Sequence, residues 1–256
     1  MFKEVLAGLG SISLEEMDGV KLMNRTDSKF LTDQATLLGI LADAGAQGYR
    51  ALETEGSKIA TYDTLYYDTP ALQMFLDHHN RRLVRQKVRT RIYVDSGIGF
   101  LEIKRKNNHG RTKKKRLEIP VAEFKDFSSD DGACAFLEEK SAYSASQLKP
   151  SLETVFRRIT LVNPAMSERL TIDSRLGFRN PRTGREASLR DAVIIELKQD
   201  GRAESPMRKI LLDHRVKPVR ISKYCIGITL TDPDVKSNRF KLKIRRIEKQ
   251  INNKLI

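Results

Sequence analysis

Short stretches of alternating apolar and charged residues recur along the chain and predict a β-rich protein. In FLEIKRK (100–106), Leu101 and Ile103 point to one face of a strand, while Glu102 and Lys104 point to the other. A second stretch, VIIELKQ (193–199), repeats the pattern and again places a glutamate two residues before a lysine. Similar patterns predict further strands, several joined by short turns such as SGIG and NNHGR, at 58–69, 82–95, 112–121, 152–163 and 168–178.

Helix signals separate these strands. Ser13 and Glu16 have capping-box spacing, and TDQATLLGILADAG (32–45) combines a capping residue with an apolar face. SPMRKILLDHRV (205–216) predicts a helix with Ser205 at its N-cap, and KPVRISKYCIGITL (217–230) is ambiguous. The basic C-terminal tail, 239–256, has apolar residues at helical spacing, which favours packing against a core over membrane contact.

The order of these elements predicts one α+β domain over 1–256, with its core at about 20–230. No low-complexity linker divides the chain, and the strands precede and follow helices in two blocks. A large antiparallel sheet or barrel fits this order best. No run of eighteen apolar residues exists in the sequence, so no membrane-spanning helix is expected.

The charge balance points to an anionic partner. Lys and Arg number 47 against 33 acidic residues, which gives a formal net charge of +14. Such a balance fits nucleic acid, a phosphate-rich small molecule or an acidic membrane face, and composition does not choose among them. The cysteines, Cys134 and Cys225, lack a CxxC motif and are expected to be buried thiols in a reducing cytoplasm.

The polar faces of the predicted strands carry mostly Lys and Arg. Any one strand is compatible with a sandwich whose charged face meets water. Taken together, so many like charges on neighbouring strands would repel one another. A barrel with the cations inside, filled by a linear polyanion, resolves this conflict, since arginine forks match phosphate oxygens. The scarce acids, Glu102, Glu196 and Asp173, would then hold a divalent cation or orient lysines.

Seven short motifs, in order, resemble the tunnel domain of the vacuolar transporter chaperone (VTC) family. They are RTDSK (25–29), YYDTP (66–70), VRTRIYVD (88–95), LEIKRK (101–106), ERLTID (168–173), IIELK (194–198) and SKY (222–224). The resemblance implies a CYTH-like triphosphate tunnel fold, an antiparallel β-barrel with a charged lumen and helices packed outside. It also implies a polyphosphate polymerase that transfers the γ-phosphate of ATP to a growing polyphosphate chain with Mn²⁺ or Mg²⁺.

The resemblance and the strand pattern together assign roles to particular residues. The expected catalytic residues are Lys29, Arg89, Arg91, Lys104 and Arg169. The expected phosphate-binding residues are Arg25, Lys106, Lys114, Arg116, Arg158, Lys198, Ser222 and Lys223. The expected metal ligands are Glu196 and Glu102.

Two aromatic positions and the opening motif depart from the resemblance. Phe156 stands where a tyrosine is expected, and Phe30 replaces the aromatic alcohol that usually follows the early lysine. The Glu-x-Glu-x-Lys opening of the related hydrolases is replaced by NRTDSK, which favours the polymerase branch.

Three other functions remain open. They are a tripolyphosphate or nucleoside triphosphate hydrolase, a non-catalytic module that binds polyphosphate or inositol phosphates, and an RNA-binding protein. The last is the weakest, since aromatic residues make up only 7% of the chain and no stacking motif is present, so no nucleic acid is expected. The resemblance implies a cytoplasmic protein, which a separate membrane protein partner can hold at the inner face of a membrane.

Overall fold

The computed structural model describes residues 2–20, 25–201 and 204–255. Its strands are β1 (Gly10–Ile12), β2 (Arg25–Asp33), β3 (Arg50–Leu52), β4 (Ala60–Asp68), β5 (Arg85–Tyr93), β6 (Ile98–Lys106), β7 (Thr112–Ile119), β8 (Lys149–Val162), β9 (Glu168–Arg179), β10 (Glu186–Ser188) and β11 (Ala192–Asp200). Its α-helices are α1 (Phe2–Ala7), α2 (Leu14–Asp18), α3 (Gln34–Ala46), α4 (Gln73–His79), α5 (Asp131–Lys140), α6 (Pro206–Asp213), α7 (Lys223–Thr231) and α8 (Asn238–Ile251).

The long strands form one antiparallel sheet in the order β2-β11-β9-β8-β4-β5-β6-β7. The short strands extend it: β10 pairs with β9, β3 pairs with β8, and β1 pairs with β3 in parallel. Register places Glu102 opposite Arg89 on β5 and Arg116 on β7. It also places Glu196 opposite Lys29 on β2 and Thr171 on β9. The charged residues of successive strands therefore share one face, called the inner face below.

The opposite, outer face is apolar and lies beneath helices. Phe30, Ile172 and Ile195 belong to a buried cluster that includes Leu41 of α3 and Leu211 of α6. On the other half of the sheet, outer-face residues of β5 and β6 pack with α5 and with the 3₁₀ turn Val121–Phe124. Burying these aliphatic side chains stabilises the sheet by roughly 25 cal/mol per Å² of apolar surface. The predicted arrangement, with apolar faces outward under helices, is confirmed.

Two C-terminal helices pack against the inner face instead. Leu31, Ile194 and Phe156 point inward by the strand alternation, and they share a buried cluster with Tyr224 of α7 and Ile244 of α8. These helices cover part of the concave side of the sheet and leave the charged part of the inner face as a channel. The expected α+β tunnel fold is therefore present, with α7 and α8 packed against part of its inner face.

Local predictions were borne out at several helix starts. Ser13 and Glu16 form the capping box of α2, and Ser205 caps α6 with Pro206 in the first turn. Asp33, rather than Thr32, caps α3 by accepting the backbone N–H of Thr36. The C-terminal tail is helical as expected, and Phe240, Ile244 and Ile247 are buried, so this part of the chain belongs to the folded domain.

Other boundaries differ from the sequence expectation. The strand expected from residue 82 begins at Arg85, because Leu83 and Val84 lie exposed in the preceding turn. The ambiguous stretch 217–230 contains α7, whose β-branched residues obscure the helix signal. Within the described ranges, no helix is both long and apolar enough to cross a membrane.

Candidate functional site

The curled sheet brings the inner faces of distant strands together. The charge of Arg89, together with burial, lowers the pKa of Lys104 to about 6, and the charges of Glu196 and Glu102 oppose this shift. Lys104 lies on β6 and Glu196 on β11, which stand far apart in the strand order. Their electrostatic interaction shows that β6 and β11 face each other across the channel.

Glu102 lies at the centre of the first cluster of charges. One carboxylate oxygen accepts a hydrogen bond from Arg89 Nε at 2.7 Å, and the other accepts one from Lys114 Nζ at 2.8 Å. Its side chain is fully buried. Burial alone would raise the pKa of Glu102, but the charges of Arg89, Arg91 and Lys114 hold it well below the usual range.

Asp173 forms a similar cluster further along the channel. Arg158 donates two hydrogen bonds to its two oxygens, at 2.6 and 2.8 Å, and Lys223 donates a third. Despite burial, the charges of Arg158 and Lys223 hold the pKa of Asp173 well below its usual range. The ammonium of Lys223 also lies over the ring of Phe156, 3.2 Å from its centroid, so this aromatic residue helps to position a cation.

Glu196 is held less tightly. Its oxygens lie 4.0 Å from Lys29 Nζ and 3.3 Å from Lys198 Nζ, and about a quarter of its side chain (23%) remains exposed. Burial opposes ionisation, yet the charges of Lys29, Lys198 and Lys104 keep the pKa of Glu196 well below its usual range. Lys29 Nζ also donates to the backbone carbonyl of Ile221, just before α7. Glu196 is thus an ionised carboxylate with access to the channel.

Three lysines form a row across adjacent strands. Lys104 of β6 lies directly opposite Lys87 of β5 on one side and Lys114 of β7 on the other. Directly opposed like charges destabilise a sheet, so the row favours a bound anion. Lys87 Nζ donates to Ser222 Oγ at 2.8 Å, and this hydroxyl also caps α7. The predicted Ser222 and Lys223 therefore reach the channel from the first turn of α7.

Arg91 is the most deeply buried of the predicted arginines whose side chains the structure describes. Its side chain donates to Thr64 Oγ1 at 3.1 Å and lies over the rings of Tyr62 and Phe156. Burial and the charge of Arg89 lower its pKa. Glu102 is near enough to counter part of this shift, but both of its oxygens are already held by other cations. Arg91 is therefore a buried cation that an added anion would stabilise.

Buried hydroxyls lie on the inner face beside these cations. Thr154 Oγ1 and Thr171 Oγ1 have no hydrogen-bond partner among the described residues. Buried polar atoms normally have partners, so such atoms mark places for water or phosphate oxygen. Thr171 lies directly opposite Glu196 on the inner face.

Of the remaining predicted residues, Arg169, Lys106 and Arg116 also lie on the inner face. Arg169 lies opposite Lys198, and Lys106 lies at the end of β6. Arg116 is exposed near the free edge of β7, over the ring of Phe100 at 4.6 Å. The backbone of Arg25 pairs with Asp200, but its side chain lies outside the part of the chain that the structure describes.

The carboxylates differ in how well they fit a divalent metal ion. Across 2–20, 25–201 and 204–255, no three Asp, Glu, His or Cys side chains form a ligand group. Glu102 has both oxygens bound by cations, which favours a counterion role over the predicted metal-ligand role. Glu196 fits as a single carboxylate ligand, the arrangement in which Mg²⁺ or Mn²⁺ completes its shell with phosphate oxygens and water.

Some inner-face residues were not among the predicted site residues. Lys87 lies on the same strand face as Arg89 and Arg91, so the alternation of residues along β5 could have identified it as a site residue. Asp173 was expected to bind a metal ion or orient lysines, and the structure places it between Arg158 and Lys223. Tyr62 and Tyr66 line the channel beneath the arginines, and only strand register reveals this.

Comparison with known structures supports the fold. A candidate adenylate cyclase from Bacillus halodurans aligns with a TM-score of 0.51 and 16% identity, covering 78% of this chain and 96% of that chain. A Hippeastrum protein, a candidate adenylyl cyclase with a dominant triphosphatase activity, aligns with a TM-score of 0.48 and 14% identity, covering 81% and 96% of the two chains. At this sequence identity the similarity to the Bacillus halodurans protein shows the fold alone. The structural similarity to the Hippeastrum protein has the lower TM-score and is weaker.

Comparison at the level of sequence identifies the family. No curated protein matches the sequence. The family model of the VTC domain matches residues 24–231, which is most of the chain and includes every strand of the channel. The protein therefore belongs to the VTC domain family and has the antiparallel triphosphate tunnel fold.

Proposed function

We propose that the protein is a polyphosphate polymerase that transfers the γ-phosphate of ATP to the end of an inorganic polyphosphate chain inside the channel. VTC family membership and the basic inner face support a triphosphate or polyphosphate substrate. The choice of a polymerase over a hydrolase rests on the ionisation of the inner carboxylates and on the buried guanidinium of Arg91.

Arg91 is the single observation that carries the proposal. Its guanidinium is buried beside Arg89 and Arg158, and its Nε donates a hydrogen bond to a neutral hydroxyl, Thr64 Oγ1. A protein retains such an arrangement at a cost to stability when the site binds an anion. A chain of linked phosphates, with charges at regular intervals, matches the line of cations from Arg158 through Arg91 to Arg89.

Chain extension needs little covalent help from the protein. An oxygen of the terminal phosphate of the polymer attacks the γ-phosphorus of ATP and forms a new P–O–P bond. The bond between the γ-phosphorus and the β,γ-bridging oxygen breaks, and ADP leaves. The attacking oxygen is already ionised, so the reaction requires alignment and neutralisation of charge but no general base.

Lys29, Lys104 and Arg91 would supply that neutralisation around the transferred group. Glu196 would hold Mn²⁺ or Mg²⁺, which would supply further positive charge to offset the negative charge of the phosphates. Arg89, Arg158, Arg169 and Lys223 would grip the flanking phosphates and fix the line of attack.

Hydrolysis is the competing reaction, and the inner carboxylates argue against it. A hydrolase must activate a water molecule, usually with a nearby general base. Glu102 and Asp173 are held ionised by two cations each, which lowers their basicity. A carboxylate with such a depressed pKa accepts a proton from water poorly, whereas a phosphate end needs no such transfer.

The test is a polymer assay with purified protein, ATP and Mn²⁺, read on a gel stained for polyphosphate. Wild-type protein should form long polymer. Lys29→Ala and Arg91→Met should each reduce the rate by about 10²-fold to 10³-fold, the usual cost of losing one charge-stabilising contact. Lys115→Ala, on the outer face of β7, is the matched control and should retain activity.

Each alternative has its own result in this assay. Free phosphate without polymer would identify a hydrolase and overturn the proposal. Tight binding of polyphosphate without turnover in Mn²⁺ or Mg²⁺ would identify a binding module. Melting temperatures of the variants, measured alongside, separate lost chemistry from lost folding, and unchanged activity in Lys29→Ala and Arg91→Met would remove the site assignment.

A further inference from the structure

Helix α8 has one buried face and one strongly basic exposed face. Phe240, Ile244 and Ile247 pack into the core, while the opposite side is lined by exposed cations. These are Arg239, Lys241, Arg245, Arg246 and Lys249. The helix contains one acidic residue, Glu248, which is half-buried and accepts the backbone N–H of Leu255. The exposed face is therefore positive along its whole length.

An apolar side chain lies in the middle of these cations. Leu242 is 70% exposed, the most exposed of the large hydrophobic side chains described. Arg239, Arg245 and Arg246 lie three or four residues away and surround it on the helix surface. A single exposed leucine is ordinary on a protein surface. Among cations, however, it provides the pairing of apolar and basic side chains by which helices bind a membrane interface.

The turn before β5 extends the same surface. Leu83 and Val84 are 62% and 61% exposed there, next to Arg81 and Arg82. Hydrogen bonds tie the end of α4, just before this turn, to the start of α8. His79 Nε2 pairs with Asn238 Oδ1 at 2.6 Å, and Arg239 donates to the carbonyl of His79 at 3.1 Å.

Electrostatic interactions also indicate that the turn before β5 lies close to α8. Burial and the positive charges of Arg81 and Arg220 lower the pKa of Lys243 in α8. Arg82 is paired with Asp77 at 3.3 Å, so Arg81 carries most of the positive charge of the turn. The turn and the exposed face of α8 together form the α8 surface, made of residues 81–84 and the exposed residues of 239–249.

We propose that the α8 surface docks the protein on a bilayer that contains anionic phospholipid. Cations near such a surface gain roughly 1 kcal/mol each from the negative potential of the headgroups. Leu83, Val84 and Leu242 would enter the boundary between headgroups and acyl chains, where apolar side chains are stabilised. An acidic protein partner would match the cations, but three separate exposed aliphatic side chains among them match a bilayer better.

The proposal does not rest on polyphosphate synthesis, and its test uses no nucleotide. Full-length protein is sedimented with vesicles of pure phosphatidylcholine and with vesicles in which a third of the lipid is phosphatidylglycerol. The variant Arg245→Gln/Arg246→Gln/Lys249→Gln removes charge from the α8 surface. The matched control, Arg111→Gln/Lys113→Gln/Lys115→Gln, removes the same charge from the exposed β6–β7 hairpin and its strand, on the outer face.

Wild-type protein and the hairpin control should bind the anionic vesicles and leave the neutral ones in solution. The α8 charge variant should bind on the order of a hundredfold more weakly. Leu242→Gln, which keeps every charge, should weaken binding by about tenfold, the scale of one lost apolar insertion. We expect these variants, whose substitutions are exposed, to melt at the same temperature as wild type. This result would exclude unfolding as the cause of weaker binding.

Either of two results would overturn the proposal. If wild-type protein does not bind the anionic vesicles, the α8 surface does not dock on a bilayer and an acidic protein becomes the better candidate. If the α8 and hairpin variants lose equal affinity, binding reflects net charge and has no dedicated surface.

Discussion

At the scale of single residues, each principal carboxylate of the inner face is matched to two cations. Glu102 holds Arg89 and Lys114, Asp173 holds Arg158 and Lys223, and Glu196 lies between Lys29 and Lys198. These carboxylates act as counterions that keep the lining folded in the absence of substrate. Removing one of them leaves buried positive charge without compensation, which is strongly destabilising.

Glu102→Gln should therefore lower the free energy of unfolding by about 3 kcal/mol. Inorganic tripolyphosphate should restore much of this loss, because its oxygens replace the missing carboxylate. Asp213→Asn is the control: Asp213 pairs with Lys209 on α6, both side chains are largely exposed, and the substitution should cost less than about 1 kcal/mol. Thermal melts of both variants, with and without tripolyphosphate, check this. Equal losses, or no rescue, would contradict a counterion role.

The depressed pKa of Glu102 also predicts how the stability of the folded protein changes with pH. Its folded value is depressed, so its contribution to stability is present above the unfolded pKa of about 4.3 and is lost as pH falls below it. The Gln variant lacks this group and should lose less stability than wild type on acidification.

Lys104 should take up a proton when a polyanion binds. With a pKa of about 6 before a polyanion binds, its amine is mostly neutral at pH 7. Phosphates beside it would raise that pKa and protonate the amine, so binding should absorb up to about one proton between pH 7 and pH 8. Titration calorimetry of tripolyphosphate binding in buffers of different ionisation enthalpy measures this uptake.

Lys104→Arg is the control, because a guanidinium is charged before binding as well as after it. The variant should bind with less proton uptake than wild type by about one proton. Identical uptake in the two proteins would mean that Lys104 is already charged before binding.

At the scale of elements, local signals in the sequence predicted structure well where the chemistry is local. Ser205 and Pro206 marked the start of α6, and alternation marked most of the long strands. The exceptions depend on tertiary contacts. β1 and β3 are three-residue strands joined in parallel, and α7 is an apolar helix rich in β-branched residues and buried against the sheet. Neither carries the periodicity that reveals an amphipathic element.

Helix α8 should behave as part of the folded core rather than as a removable tail. Ile247 is fully buried, so Ile247→Ala should lower the free energy of unfolding by about 2–5 kcal/mol. Lys249→Gln, two residues away on the exposed face, should change it by less than about 0.5 kcal/mol. Urea unfolding followed by circular dichroism measures both. Equal stability of the two variants would show that α8 is not packed as described.

At the scale of the whole molecule, the alternation of residues predicted which side chains face inward but not which of them meet. Lys104 and Glu196 lie on strands separated by four others in the sheet, and only the curl of the sheet brings them together. Similarly, no pattern in the sequence indicates that Ser222 contacts Lys87. Such contacts depend on strand register and on the packing of α7, which single-strand patterns do not encode.

The lysines of β7 provide the most direct test of which cationic side chains face the channel. Lys114 faces the channel, while its neighbours Lys113 and Lys115 face outward. Brief acetylation with and without polyphosphate, read by mass spectrometry, compares their reactivity within one strand. Polyphosphate should protect Lys114, and also Lys29 and Lys104, while Lys113 and Lys115 react as before. Equal protection of all three β7 lysines, or protection of none, would contradict a channel threaded by linked phosphates.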